Sequence, residues 1–161
     1  MSPAVVWNNE SIRALERASI RAFMKKHRQY LKGRVLDFGA GKQPYRDLVE
    51  GEYVPHEQGE PIPGTHFDAV MCNQVMQYLD DPAKYLSAFA VLTAPGGHLV
   101  MRYPTCWAEV EESDLWRFTK AGMTKLLKDA GFRVLVHERG AEIDLNGFKF
   151  PLGYGVVAQA G

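Results

Sequence analysis

A chain of 161 residues is long enough for one domain with a real core and too short for two ordinary ones. Its 46% hydrophobic and 24% charged residues are those of a globular protein, and nineteen basic side chains balance nineteen acidic ones. A formal net charge of zero argues against a nucleic-acid binder, whose affinity comes largely from neutralising phosphates, and favours a small or neutral partner.

The two cysteines, Cys72 and Cys106, lie far apart and outside any paired metal-ligand spacing, so both read as reduced thiols and no metal site is expected. The opening "MSPAVVWNNESIRALER" lacks the basic-then-apolar order of a signal peptide. No apolar run approaches the ~18–20 residues of a membrane span, and a cytoplasmic location is expected.

In chain order, Asn8–Asn9 offers an N-cap to a helix whose Ile12, Leu15, Ser19, Ala22 and Phe23 fall near one face, with Gly33 as its stop. The basic run "KKHR" (25–28) reads as a solvated helix end rather than a nucleic-acid patch. Strand "RVLDF" leads to a short helix from about Pro44 to Glu50, with Gly51 past its end. Strand "EYVPHE", the irregular "QGEPIPGTH" and strand "FDAVMC" follow. Asp81–Pro82 then opens a helical segment as N-cap and first-turn proline, and Gly96–Gly97 closes it. After strand "HLVMRY" and an aromatic loop, Thr119 caps a helix carrying Met123, Leu126, Leu127 and Ala130, ended by Gly131. The strands "FRVLVHE" and "GYGVVAQA" finish the chain, joined by a loop without a helix, and are expected to pair antiparallel as an edge hairpin. The expectation is one α/β domain over residues 1–161, with a helical segment (1–33) before a core (34–161). The core is an open, mostly parallel sheet of about six strands with helices on both faces and an antiparallel final strand.

Ligands of such sheets sit beyond the carboxyl ends of the strands, where "VLDFGAGKQPYRDL" places its turn. A phosphate loop ending at Gly41–Lys42 would need glycine at 36 and Ser or Thr at 43, where Leu36 and Gln43 stand. The dinucleotide pattern G-x-G-x-x-G finds Pro44 at its third glycine, and Asp37 before the first would repel a diphosphate. Glu57, about 20 residues on at the end of the next strand, is placed to accept hydrogen bonds from ribose hydroxyls. Two strand-end acids with bare glycines between them suit a nucleoside bearing an ammonium or sulfonium group.

The same stretch resembles the first motif of class I S-adenosylmethionine-dependent methyltransferases, in their small, type 11-like form. The order of "YVPHE", "FDAVMCNQVMQYLDDP", "LTAPGGHLVMRYP" and "DLWRFTKAGMTKLLKDAGF" carries the likeness from about residue 34 to 157. It implies a Rossmann-like fold and S-adenosylmethionine as cofactor. It also implies a methionine end lined by Asp37, Gly39 and Gly41, with Phe38 and Ala40 between them. Glu57 would hold the ribose, and Asn73 with Gln74 would lie under the methionine or methyl side.

The chain departs from that pattern in two places. Only nine residues separate Glu57 from Phe67. A stretch of that length reaches at most about 30 Å, enough to cross one strand but not to add a third strand and its helix. The adenine pocket then lacks its usual wall, and the second strand becomes an exposed edge open to a homodimer or a partner. Glu109 stands where related sequences often carry a histidine.

Candidate acceptor-side residues lie in "RYPTCWAEVEESDLWRF", and Tyr103 and Asp114 are the candidates for catalytic roles. The signatures of exocyclic-amine and cytosine-ring nucleic-acid methyltransferases are missing, since "NQVM" and "YPTC" occupy their positions. The expected activity is therefore methyl transfer to an oxygen or nitrogen of a small molecule. A noncatalytic binding module working through the exposed edge is the first alternative, and a dinucleotide oxidoreductase the second.

Overall fold

The computed structural model describes residues 9–161, so the capping position Asn8 lies outside the described residues. Helix α1 (Asn9–Lys26) precedes β1 (Lys32–Phe38), β2 (Glu50–His56) and β3 (Phe67–Asn73). Then come α2 (Pro82–Leu92), β4 (Thr93–Pro104), α3 (Lys120–Asp129), β5 (Phe132–Arg139), β6 (Glu142–Leu145), β7 (Phe148–Pro151) and β8 (Gly153–Ala160).

The main sheet runs β2-β1-β3-β4-β8-β5. Its first four strands are parallel, and β8 lies antiparallel between β4 and β5. Strands covered on both faces read as continuous apolar runs, which is why "VLDF" and "AVMC" show no polar alternation. Leu36, Phe38, Val70, Cys72, Leu99 and Met101 pack under α2 and α3. Their strand neighbours Val35, Ala69, Met71 and Val100 meet Ile20, Phe23 and Met24 of α1 on the opposite face. Among the described residues, no helix is long and apolar enough to cross a membrane.

The missing third strand is a property of the fold. The sheet ends at β2, and residues 57–66 cross beneath β1 to reach β3 without forming a strand. Arg34 holds this crossing, donating to the carbonyls of Pro63 (2.9 Å) and Thr65 (3.2 Å) and stacking over Phe67. The resulting β2 edge is blunted by exposed Glu50 and Glu52 and by Pro55, which has no N–H to offer a neighbour.

Several local expectations are corrected. The buried stripe of α1 is Glu16, Ile20, Phe23 and Met24, so Ala22 turns outward. The helix ends at Lys26, and Gly33 sits inside β1 with φ +75°, where a Cβ would strike the Asp68 carboxylate. Lys26 and His27 of the basic run both reach Glu138 on β5. The expected helix from Pro44 to Glu50 is only a 3-10 turn at Arg46–Leu48, because Glu50 and Gly51 already pair with Lys32 and Gly33. Gly96 and Gly97 lie within β4 rather than ending α2, which stops at Leu92. The loop expected before β8 contains the β6–β7 hairpin, turned at Asn146–Gly147 with both φ positive. The final two strands of the main sheet do pair antiparallel at the edge away from β2, with β5 outermost and β8 enclosed between it and β4.

Candidate functional site

The carboxyl end of β1 carries the glycine turn, fastened to the end of β2. The N–H groups of Gly39 and Ala40 both donate to the carbonyl of His56, at 2.8 and 3.0 Å. Gly39 and Gly41 have φ of +75° and +50°, which side chains disfavour. A Cβ on Gly39 would run into Val75, whereas Gly41 faces open space. Its N–H donates to Glu57 Oε1 at 2.6 Å, so the Glu57 carboxylate folds over the turn.

Asp37 is buried on the α1 side of β1, and the Tyr53 hydroxyl donates to its Oδ2 at 2.5 Å. Burial pushes the Asp37 carboxyl up to about 6, against the pull of the Tyr53 hydrogen bond and with help from the Glu57 charge. Phe38 points the other way, stacked on His56 (4.8 Å) and edge-on to Phe89, so only its backbone belongs to the turn. Ala40 is buried. His56 is buried too, with Nε2 on the Glu60 carbonyl at 2.8 Å and Nδ1 without a partner among the described residues.

Asn73 ends β3, two residues past Met71, the partner of Asp37 in the sheet, and so flanks Gly39. Both polar atoms of its side chain are buried without a hydrogen-bond partner among the described residues. Gln74, at φ +57°, donates to the Arg102 carbonyl through its backbone and reaches Glu16 Oε1 at 3.3 Å through Nε2. A buried carboxylate, an open glycine cradle, a strand-end acid and an orphaned amide therefore meet at one place. They fit a cationic nucleoside.

The acceptor side differs from expectation. Tyr103 is the penultimate residue of β4, fully buried among Phe118, Tyr154 and His137, and its hydroxyl lies 2.6 Å from His137 Nε2. Burial drives its hydroxyl far above the usual range and holds His137 down at about 4, so the pair is a neutral contact within the core on the α2 and α3 side of the sheet. Asp114 receives both arms of Arg117, at 2.6 and 2.7 Å, and the N–H of Val110 at 3.0 Å. These bonds from Arg117 hold its carboxyl below the usual range, which suits a clamp on the loop and weakens it as a base. Arg117 also donates to the carbonyls of Trp107 and Ala108, closing the loop over the end of α1.

Sequence reasoning missed an ion pair at this end of the sheet. Arg102 on β4 donates to Glu16 Oε1 on α1 at 2.7 Å, with both side chains buried. The signal was present as a cation inside the apolar "HLVMRY" and an acid on the buried stripe of α1.

A parallel sheet with a glycine turn between two strand-end acids, closed by an antiparallel final strand, has the fold of class I S-adenosylmethionine-dependent methyltransferases. A methyltransferase-domain family profile matches residues 9–144, and the chain belongs to that family. An S-adenosylmethionine-dependent methyltransferase of Archaeoglobus fulgidus is 15% identical, with 94% of this chain and 100% of that one covered at a TM-score of 0.67. One from Mesorhizobium loti is also 15% identical, over 90% and 97% of the two chains, with a TM-score of 0.63. A Haloferax volcanii methyltransferase, solved with an activator protein, is 14% identical over 93% and 95%, with a TM-score of 0.63. Compared with curated proteins, the chain matches none.

Proposed function

We propose that this chain transfers the methyl group of S-adenosylmethionine to an oxygen or nitrogen of a small-molecule acceptor. The observation that carries this reading is the convergence of Asp37, Gly39, Gly41 and Glu57 on one open turn beside the unpartnered Asn73 amide. When bound, the cofactor supplies a methyl group on a positively charged sulfur. Asp37 offers the opposing charge, the two glycines admit the ligand to the backbone, and Glu57 accepts from the ribose hydroxyls. Asn73 and Gln74 take the polar groups of the methionine part. Catalysis then rests chiefly on holding the reactants in line.

Calorimetry of the full chain with S-adenosylmethionine, its demethylated product and NAD tests this directly. Both sulfur ligands should bind and NAD should not, as Pro44 and Asp37 disfavour a dinucleotide. Absence of sulfur-ligand binding at millimolar concentration would end the proposal. Glu57→Ala should weaken cofactor binding by about 1–3 kcal/mol, the cost of lost hydrogen bonds to a charged group. An unchanged affinity would show that the ribose lies elsewhere.

The second reading, a binding module without turnover, is favoured by the absent third strand. The Haloferax volcanii relative sits in a complex with its activator, and the open β2 edge offers a comparable role to a partner or to a second copy. Glu50, Glu52 and Pro55 on that edge weigh against strand pairing.

A further inference from the structure

One stripe of α1 carries Arg13, Glu16, Arg17 and Ile20 at helical spacing. With Gln77 behind β3 and Trp107 on the Arg117-clamped loop, these residues line a pocket of about 200 Å³. It contains neither Asp37, the glycines nor Glu57, and adjoins them only through Gln74. An engineered cavity of about 150 Å³ holds benzene, so this space suits one ring with a short side chain.

The charges of the lining do not cancel. Glu16 is matched by Arg102 and Asp114 by Arg117, whereas Arg13 and Arg17 have no partner among the described residues. Glu109, an exposed acid, lines the adjoining cleft beside Arg13 rather than this pocket. Like charges four residues apart on a helix repel, and an anion between them relieves that repulsion. Deeper in, Glu16 Oε2 and Gln77 Oε1 are buried without hydrogen-bond donors among the described residues. Left unmet, such atoms cost the fold free energy; a ligand hydroxyl or amine would satisfy them.

We propose that the pocket takes a small acidic acceptor: a one-ring molecule whose carboxylate is held by Arg13 and Arg17 and whose hydroxyl or amine donates to Glu16 Oε2 and Gln77 Oε1. This rests on the methyltransferase reading and gives its acceptor a class. Paired arginines suit a carboxylate because each guanidinium presents a planar fork of donors. Burial raises the Glu16 carboxyl against the pull of Arg102, which makes Oε2 a better acceptor for that hydrogen than an exposed carboxylate.

The test is calorimetric titration of the full chain with 4-hydroxyphenylacetate and with 4-hydroxyphenylacetamide, which keeps the shape and removes the charge. The acid should bind at least tenfold tighter, as expected for hydrogen bonds to a charged group, and the gap should narrow as salt rises. In the Arg13→Gln/Arg17→Gln chain, whose substitutions lie on the exposed side of α1, the preference should fall to within twofold. Equal affinities for acid and amide, no binding of the acid at millimolar concentration, or a preference that survives the double substitution would each overturn the inference. A parallel titration with S-adenosylmethionine separates the two proposals. Cofactor binding without acid preference removes the acidic acceptor alone, while acid preference in a chain that ignores the cofactor keeps the pocket and removes methyl transfer.

Discussion

Arg102→Met is expected to lower the free energy of unfolding by about 3–5 kcal/mol, a large share of the stability of an ordinary domain. The guanidinium is 1% exposed, and the Glu16 side chain that it holds at 2.7 Å is 8% exposed. Removing the cation leaves a buried carboxylate without its ion-pair partner. Glu16 will respond by taking up a proton, because burial already raises its carboxyl and Arg102 is the main influence lowering it. An acid whose folded value lies above its unfolded one contributes stability below the unfolded value and loses it as pH rises through the folded one. The damage should therefore be mild in weak acid and severe in weak alkali. Urea denaturation at pH 5 and pH 8 measures both quantities, and a loss that is small and independent of pH would contradict the assignment. Glu16→Gln placed on top of Arg102→Met should restore much of the stability, since the unpaired charge is then gone.

Asp37→Asn should move stability and binding in opposite directions. The wild-type carboxyl rises from 3.8 to about 6 on folding, so its stabilising contribution is complete below pH 3.8 and lost as pH climbs through 6. At neutral pH the buried charge then costs the free protein roughly 3 kcal/mol, since each tenfold change in proton affinity between the two states is worth about 1.4 kcal/mol. Asparagine cannot ionise and still accepts from the Tyr53 hydroxyl through its Oδ1. The variant should melt higher than the parent at pH 8 and close to it at pH 4. The same change should weaken S-adenosylmethionine by tenfold or more, because the opposing charge for a cation is removed. If the variant melts lower at pH 8, the carboxylate is a structural support and its place in the cofactor site is lost.

Much of the fold is legible because burial on two faces leaves a plain mark. The continuous apolar runs of β1 and β3 are such marks, and nine residues between Glu57 and Phe67 leave no room for another strand. The positions of Asp37 and Glu57 beside the turn can be read because strand ends and a glycine turn are local features. Tyr103 misleads for want of parity: it follows Leu99 and Met101 on one face of β4, and that face is core. The turn after Gly41 misleads because propensity favours a helix there, while sheet register pulls Glu50 into β2. The Glu16–Arg102 pair joins residues 86 positions apart, beyond any local pattern. Asn146–Gly147 is itself a hairpin signal, from which the β6–β7 pair can be read.

The placement of β8 bears on how the chain matures as it is made. The strand that bridges β4 and β5 is made after both, so neither has this neighbour until residues 153–160 have emerged. Until then both present unpaired backbone, and the nascent chain carries two adhesive strands at once. Closure of the sheet is thus a late, nonlocal event, and cleavage after Leu152 would leave a chain prone to self-association rather than a smaller folded domain.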